Sequence, residues 1–340
     1  MKTIALNTDF SSSTIYIGQK FEDFTDHVDP SRVVVVTDEN VYKIYENKFK
    51  DLRTIVIGTG EGIKSIRTVE YIIKKLIEFN ADRNTFLLGA GGGVVTDITG
   101  FAASIFLRGI DFGFVSTTLL SQVDAGVGGK NGVNFAGLKN IVGLFNQPQF
   151  VICDISMLKT LPEREIRSGI GEIIKHGIIG DPSILDILEN EYEKINKTDL
   201  MVLENLIGKS VSVKVKIVTE DEHESGVRKV LNFGHTVGHA IELSCDITHG
   251  EAISIGMLIS LGISVKKSYI ELNLFKKIEE LIKKYELPTV SPLDIVNVID
   301  LIKYDKKSEQ DHLNYILMKG IGNPVIEKIG ISKLKNMILS

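Results

Sequence analysis

The chain has 340 residues, enough for two domains of ordinary size. Its 43% hydrophobic and 24% charged content fits a soluble globular enzyme and excludes a disordered chain, and its net charge of −5 argues against a nucleic-acid partner. Two cysteines, Cys153 and Cys245, cannot build a disulfide framework or a thiolate metal site.

Short strands are expected at Thr3–Leu6 and Thr14–Ile17, around the serine-rich turn Ser11–Ser13. Arg32–Val36 is dominated by valine, as in a strand buried on both faces. There follow a helical run from Val41 to Lys48, a strand at Thr54–Ile57, an amphipathic helix over Ile66–Phe79 and a strand at Thr85–Leu88. A helix over Val95–Phe106 and a strand at Phe112–Val115 continue the pattern. Such alternation predicts a parallel sheet with helices on its faces, a Rossmann-like α/β domain. From about residue 151 helical periodicity takes over, at Arg164–Ile179, Ile184–Asn190, Leu200–Val218, Val230–Ile241, Glu251–Tyr269 and Leu274–Tyr285. A late extended pair, His312–Met318 and Val325–Lys328, reads as a small hairpin. The expected division is therefore an α/β domain over 1–152 and a mostly α-helical domain over 153–340. The N-terminal apolar run is too short for a signal peptide and no run reaches the length of a membrane span, so the chain is expected in the cytoplasm, without a membrane partner.

Gly89-Ala90-Gly91-Gly92-Gly93, after a strand and before a helix, has the form of a phosphate cradle. Glycines let backbone N–H groups approach an anion at a helix N-terminus, and Asp97 lies one turn in. Val94 stands where the third glycine of G-x-G-x-x-G would be, so a purely structural glycine turn competes. Asp38 and Asn40 end the valine strand, where they suit either a ribose contact or a helix N-cap. Over Asp124–Asn140 a glycine-rich loop carries Lys130 and Lys139, with Asn140 beside the second, which suggests an anionic ligand. Arg108 is a lone charge ending an apolar helix, and helix C-capping is its plain alternative. Glu172 and Lys175 lie three apart on one helix face; Ile173, Ile174 and Ile178 around them predict that this face is not fully solvated.

Asn232–Glu251 holds three of the seven histidines. His235 and His239, four apart, share a helix face, and His249 opens the next apolar helical run. Three imidazoles brought to one point suit a zinc-like ion, and Glu172 could complete a site with His235 and His249. Thr236 rules out the His-Glu-x-x-His pattern of zinc proteases. Any one of these histidines alone reads as a packed core residue. Clustered, and flanked by Asn232 and Glu251, they favour a metal, because liganding histidines need a neighbouring carboxylate. Lys214, Glu224 and Arg228 precede this stretch; each alone is more often surface charge than site.

In order along the chain stand T-D-E-N at 37–40, G-E-x-x-K at 60–64, G-G-G-V-x-x-D at 91–97, F-L-R-G at 106–109, T-T-L-L-x-x-V-D at 117–124, G-G-K at 128–130 and K-N at 139–140. They are followed by L-P-x-R-E at 161–165, G-x-x-E-x-x-K-H-G at 169–177, D-E-x-E at 221–224, N-F-G-H-T-x-G-H-A-I-E at 232–242, H-G-E at 249–251 and D-K-K at 305–307. Each motif is weak alone; as an ordered set, running essentially end to end, they resemble the 3-dehydroquinate synthases of the sugar-phosphate cyclase superfamily. The resemblance implies a dehydroquinate-synthase-like fold and a zinc or cobalt ion held by Glu172, His235 and His249, with His239 a substrate-phosphate contact rather than a ligand. It implies NAD+ bound by Asp38, Asn40, Glu61, Lys64, Gly92, Gly93, Val94, Asp97, Thr117 and Thr118, with Lys130, Lys139, Thr160, Leu161 and Glu165 nearby. Substrate contacts are implied for Asp124, Lys130, Asn140, Lys175, Lys214, Arg228, Asn232, His239 and Lys306, with Glu224 holding the Arg228 guanidinium. Arg108 is implied to reach the substrate phosphate of a neighbouring subunit in a homodimer. The implied reaction turns 3-deoxy-D-arabino-heptulosonate 7-phosphate into 3-dehydroquinate and phosphate, a lyase step of aromatic amino-acid biosynthesis, by transient oxidation, elimination, reduction and intramolecular aldol closure. Sister cyclases and metal-dependent glycerol-type dehydrogenases are the rival readings. The chain departs from the family pattern at Ser116, where proline is usual, at Asn131, where threonine is usual, and at Leu138, where a glycine is displaced to Gly137.

Overall fold

Four consecutive valines, Val33–Val36, lie at most 1% exposed in a strand covered on both faces. The structure, a computed structural model, describes residues 1–294, 296–298 and 312–339. Its first strands are β1 (Lys2–Asn7), β2 (Ser12–Ile17), β3 (Val33–Asp38), β4 (Arg53–Ile57), β5 (Phe86–Gly91), β6 (Phe112–Ser116), β7 (Lys130–Phe135), β8 (Leu138–Phe145) and β9 (Phe150–Cys153). The helices are α1 (Glu39–Ile44), α2 (Glu46–Phe49), α3 (Ile66–Glu78), α4 (Gly93–Ile105), α5 (Glu163–Ile179), α6 (Ser183–Asn190), α7 (Tyr192–Asn196), α8 (Leu200–Glu220), α9 (His235–Glu242), α10 (His249–Lys266), α11 (Leu272–Lys284) and α12 (Ile331–Leu339). A last antiparallel hairpin pairs β10 (His312–Met318) with β11 (Pro324–Gly330).

Seven strands form one sheet in the order β1-β2-β9-β6-β5-β3-β4. Only β1 and β2 pair antiparallel; the rest run parallel, as the strand–helix alternation requires. One face of the sheet packs Val33, Val35, Phe86, Leu88, Phe150 and Ile152 against Phe21, Phe24 and Phe49. The crossovers leave the carboxyl ends of β3, β4, β5 and β6 at one rim, where open α/β sheets bind ligands. Asp38, Glu61, Lys64, Gly92, Gly93, Thr117 and Thr118 all follow or close those strands.

The chain divides into two compact units, Met1–Leu161 with Thr198–Glu222, and Pro162–Lys197 with His223–Ser340. This differs from a single cut at 152/153 in two ways. The short 3-10 segment Ile155–Thr160 stays with the sheet, burying Ile155, Met157 and Leu158. Helix α8 also returns to the sheet unit: it packs on β1 and on the turn Ser121–Ala125, burying Leu203, Leu206, Ile207 and Val211. The second unit is mostly helical, and its long apolar helix α10 packs against α5, α9 and α11.

Two expected elements take another form. Glycine-rich 124–140 was expected as a loop; its second half is a hairpin, β7–β8, closed by Ala136 and Gly137 at φ 52° and 80°. Paired left-handed residues are what a two-residue hairpin turn demands. The run Val230–Ile241 was expected as one helix; it is a 3-10 segment, Val227–Asn232, then a break and α9. Gly234 at φ 80° makes the break, and a side chain there would meet Met257 backbone N at 2.9 Å.

Candidate active site

The second unit builds its site from three helix segments. Glu172 and Lys175 lie on α5, His235 and His239 on α9, and His249 is the first residue of α10. Helices α5 and α10 meet closely because Gly171 and Gly250 face each other: a Cβ on Gly250 would lie 2.0 Å from Ser168 O, and one on Gly171 would lie 2.8 Å from Gly250 O. Thr248 caps α10 with a reciprocal capping box to Glu251.

Glu172 is fully buried, and its Oε1 lies 3.2 Å from His249 Nε2 and 3.4 Å from His235 Nε2. Its Oε2 pairs with the Lys175 ammonium, also fully buried. Burial pushes the Glu172 carboxyl up, but Lys175 and the two imidazoles outweigh it and hold the group well below the usual carboxylate range. Burial, aided by the Lys175 charge, holds His235 well below its ordinary value, so His235 is neutral. Burial also opposes charge on His249, but its hydrogen bonds to Glu172 and Glu242 win and raise it to about 10.

Tautomers follow from the partners. His235 Nδ1 lies 3.1 Å from the Phe233 carbonyl, which can only accept, so Nδ1 carries the hydrogen. The lone pair of neutral His235 Nε2 therefore faces an ionised carboxylate oxygen, acceptor against acceptor. His249 Nδ1 is held likewise, by Glu242 Oε2 at 3.2 Å. Two imidazoles oriented through their outer nitrogens toward one carboxylate are the pattern of a metal site with its supporting shell. The ligand atoms of Glu172, His235 and His249 lie within 4.8 Å of one another, and two nitrogens with one oxygen suit a divalent ion of the zinc type. Three protein ligands leave a position open for a reacting molecule.

His239 is exposed and belongs to a second group of three, with Glu242 and His249. Glu251, expected as the supporting carboxylate, is spent on Thr248 N–H and on Arg164. Glu242 supplies that support instead, and no spacing rule in the sequence marks it. Nearby, Arg228 is 1% exposed, and Asn232 donates to Glu224. Lys306 lies outside the described residues.

In the first unit Gly92 caps α4. A Cβ on Gly91 would lie 2.5 Å from Val95 Cγ2, and one on Gly93 would lie 2.9 Å from Ala125 Cβ, so this turn needs glycine. The first-turn N–H groups of α4, Val94 among them, have no intrahelical acceptor, so the turn could hold a cofactor phosphate. Lys64, 6% exposed, pairs with Asp97, whose carboxyl burial pushes up although Lys64 opposes this. Asp38 is the N-cap of α1, accepting from Asn40 and Val41 N–H at 2.9 and 3.0 Å, while the Asn40 side chain is exposed. Thr117 is buried; Thr118 N–H donates to Ser121 Oγ. Thr160 shares a hydrogen bond with Tyr45, Leu161 closes that 3-10 segment, and in the second unit Glu165 is half-buried.

Lys214, on α8, donates to Asp124 O at 2.6 Å and pairs with the Asp124 carboxylate, which brings two expected substrate residues together. Lys130 opens β7, while Lys139 and Asn140 lie on β8, Asn140 at φ 53°. Arg108 does not cap α4. It is exposed, and Leu107 and Arg108 both take left-handed φ, 50° and 70°.

Comparison with known proteins matches residues 54–168 to the 3-dehydroquinate synthase N-terminal family model and residues 169–308 to the C-terminal one. A 3-dehydroquinate synthase of Alkaliphilus metalliredigens is 39% identical over 335 residues, covering 95% of this chain and 94% of that protein. Among solved structures, a 2-deoxy-scyllo-inosose synthase in complex with carbaglucose-6-phosphate, NAD+ and Co2+ superposes with a TM-score of 0.86 at 25% identity, over 99% of both chains. A 2-epi-5-epi-valiolone synthase from Streptomyces hygroscopicus with NAD+ and Zn2+ has the same fold, with a TM-score of 0.84 at 22% identity over 98% of this chain and 96% of that one.

Proposed function

This chain belongs to the 3-dehydroquinate synthase family, and on that premise we propose that it converts 3-deoxy-D-arabino-heptulosonate 7-phosphate into 3-dehydroquinate and phosphate. The observation that carries the reading is the convergence of His235 Nε2 and His249 Nε2 on one Glu172 carboxylate oxygen, an arrangement a divalent cation completes. Glu172, His235 and His249 hold that ion, zinc or cobalt, and the glycine turn at α4 with Lys64 and Asp97 holds NAD+. When bound, NAD+ would supply the capacity to accept and return a hydride at one substrate carbon, and the metal would supply polarisation of the oxygen there.

The chain's own groups do the rest. Lys175, buried and paired with Glu172, keeps that carboxylate ionised and so able to ligate. His239 takes the substrate phosphate, and Lys130 is a substrate contact. Lys214, already bound to Asp124, and Arg228 supply cationic partners for the carboxylate that distinguishes the heptulosonate from simple sugar phosphates. A second copy of the chain contributes Arg108 to the phosphate; the left-handed backbone at Leu107 and Arg108 supports this, because such strain collects where a side chain must be presented. The protein acts in the cytoplasm; among the described residues no helix is long and apolar enough to cross a membrane.

A substrate panel tests the reading. The wild type is expected to turn over the heptulosonate and to be nearly inert toward glucose 6-phosphate and sedoheptulose 7-phosphate. Arg228→Ala is expected to lose about 2–5 kcal/mol of substrate binding, the cost of unpairing a buried charge, while keeping metal and NAD+. Preference for a sugar phosphate without the carboxylate assigns the chain to a sister cyclase activity instead.

A further inference from the structure

We propose that Asn134 is a positioning residue that ties the cofactor side of the first unit to its substrate side. The proposal rests on the function given above, since the family resemblance behind that reading implies Glu61 and Lys64 for NAD+, Lys139 beside it, and Asn140 for substrate. Asn134 sits in β7 at the irregularity where the β7–β8 register shifts, between Val133 and Phe135. Its amide is used at both ends. Nδ2 donates to Glu61 Oε1 at 2.8 Å, and Oδ1 accepts from Asn140 N–H at 2.8 Å. Its backbone N–H donates to Lys64 O at 2.9 Å, and it forms an isolated parallel bridge with Ser65.

Each bond has a consequence. Glu61 opens the 3-10 turn Glu61–Ile63 and receives Lys64 N–H at 3.0 Å, so holding Glu61 and the Lys64 carbonyl fixes the turn from which Lys64 reaches Asp97. Asn140 has φ 53°, a left-handed value uncommon for a side-chain residue; the acceptor on Asn134 holds its N–H in that conformation and so aims the Lys139-Asn140 pair. Only a side chain with a donor and an acceptor on one short stem satisfies both neighbours. Aspartate keeps the acceptor for Asn140 but opposes Glu61, alanine loses both contacts, and glutamine is one carbon too long.

That asymmetry makes the test specific. NAD+ binding is measured by calorimetry on metal-loaded protein, and the substrate KM at saturating NAD+. Asn134→Asp is expected to weaken NAD+ about tenfold, the scale of a lost hydrogen bond to a charged group, and to leave KM within about twofold. Asn134→Ala is expected to raise the NAD+ dissociation constant and KM together, each about fivefold. Glu61→Gln with Asn134→Asp reverses donor and acceptor, and is expected to bind NAD+ as well as Glu61→Gln alone. Metal content and melting temperature report folding, and Asn134→Ala carries the test should Asn134→Asp misfold. Wild-type NAD+ affinity in both single variants, equal shifts of both constants in the two, or no recovery in the double variant would overturn the proposal. Failure of the wild type to release phosphate from the heptulosonate would instead remove the functional reading, with the NAD+ measurements still deciding the role of Asn134 toward Glu61.

Discussion

Phe233 lends a carbonyl to His235 Nδ1 and Glu242 a carboxylate to His249 Nδ1, and these two contacts fix which nitrogen each imidazole turns inward. His249→Ala should therefore lose bound metal and activity together, whereas His239→Ala should lose activity and retain metal; equal metal loss in the two, measured by elemental analysis, would contradict the ligand set. Proton balance gives a second check. Near pH 7 Glu172 is ionised and His235 neutral, while His249, raised to about 10, still carries its proton. Metal binding at pH 7 should thus expel about one proton, that of His249, and the release should fade as pH rises through 10. Calorimetry in buffers of different ionisation enthalpy reads this number, and zero or two protons would refute the assignment. Residue type and clustering made His235, His239 and His249, with Glu172, legible as a metal candidate, but spacing alone favours His239 as a ligand and only the family resemblance sets it apart. Glu242 was not legible, since its partner His249 lies seven residues on and meets it only through the turn between α9 and α10.

Helices α5 and α10 bring Glu172 beside His249 because neither has a side chain at its point of contact. Gly250→Ala would press a methyl onto the Ser168 carbonyl and part the helices. The expected loss is about 1–3 kcal/mol, typical of overpacking, with a fall in bound metal. Gly262→Ala, on the same helix with its nearest neighbour 4.0 Å away, should hold its metal and gain about 0.5–1 kcal/mol. Unchanged stability and metal content in Gly250→Ala would mean that this contact does not set the site. The long elements were legible from periodicity where, as in α3 and α11, a helix buries one apolar stripe. The β7–β8 hairpin was not: Gly132, Asn134 and Asn140 break its alternation, and its turn rests on Ala136 and Gly137 rather than a pair such as Asn-Gly. The break before α9 was hidden because apolar spacing continues across Phe233 and only the left-handed φ of Gly234 ends the helix.

The whole chain is acidic, at −5, yet Lys175, Lys214 and Arg228 are buried at 0%, 6% and 1% exposure. Lys175 and Lys214 are paired with Glu172 and Asp124, and the overall charge hides such buried cations from composition alone. Chain order concealed the division into units as well, because α8 belongs with the sheet although helices surround it in sequence. If Arg108 acts in a partner's site, mixing inactive Arg108→Ala with inactive Lys175→Ala should restore some activity through heterodimers; none, with subunit exchange demonstrated, would speak against sharing. The reaction itself is read most directly by following phosphate and NADH together, in one vessel, with metal-loaded protein, NAD+ and the heptulosonate phosphate. Phosphate should accumulate over many turnovers with no net NADH, cease after chelation and return with zinc or cobalt. NADH accumulating in step with substrate consumed, without phosphate, would show a dehydrogenase and contradict the assignment.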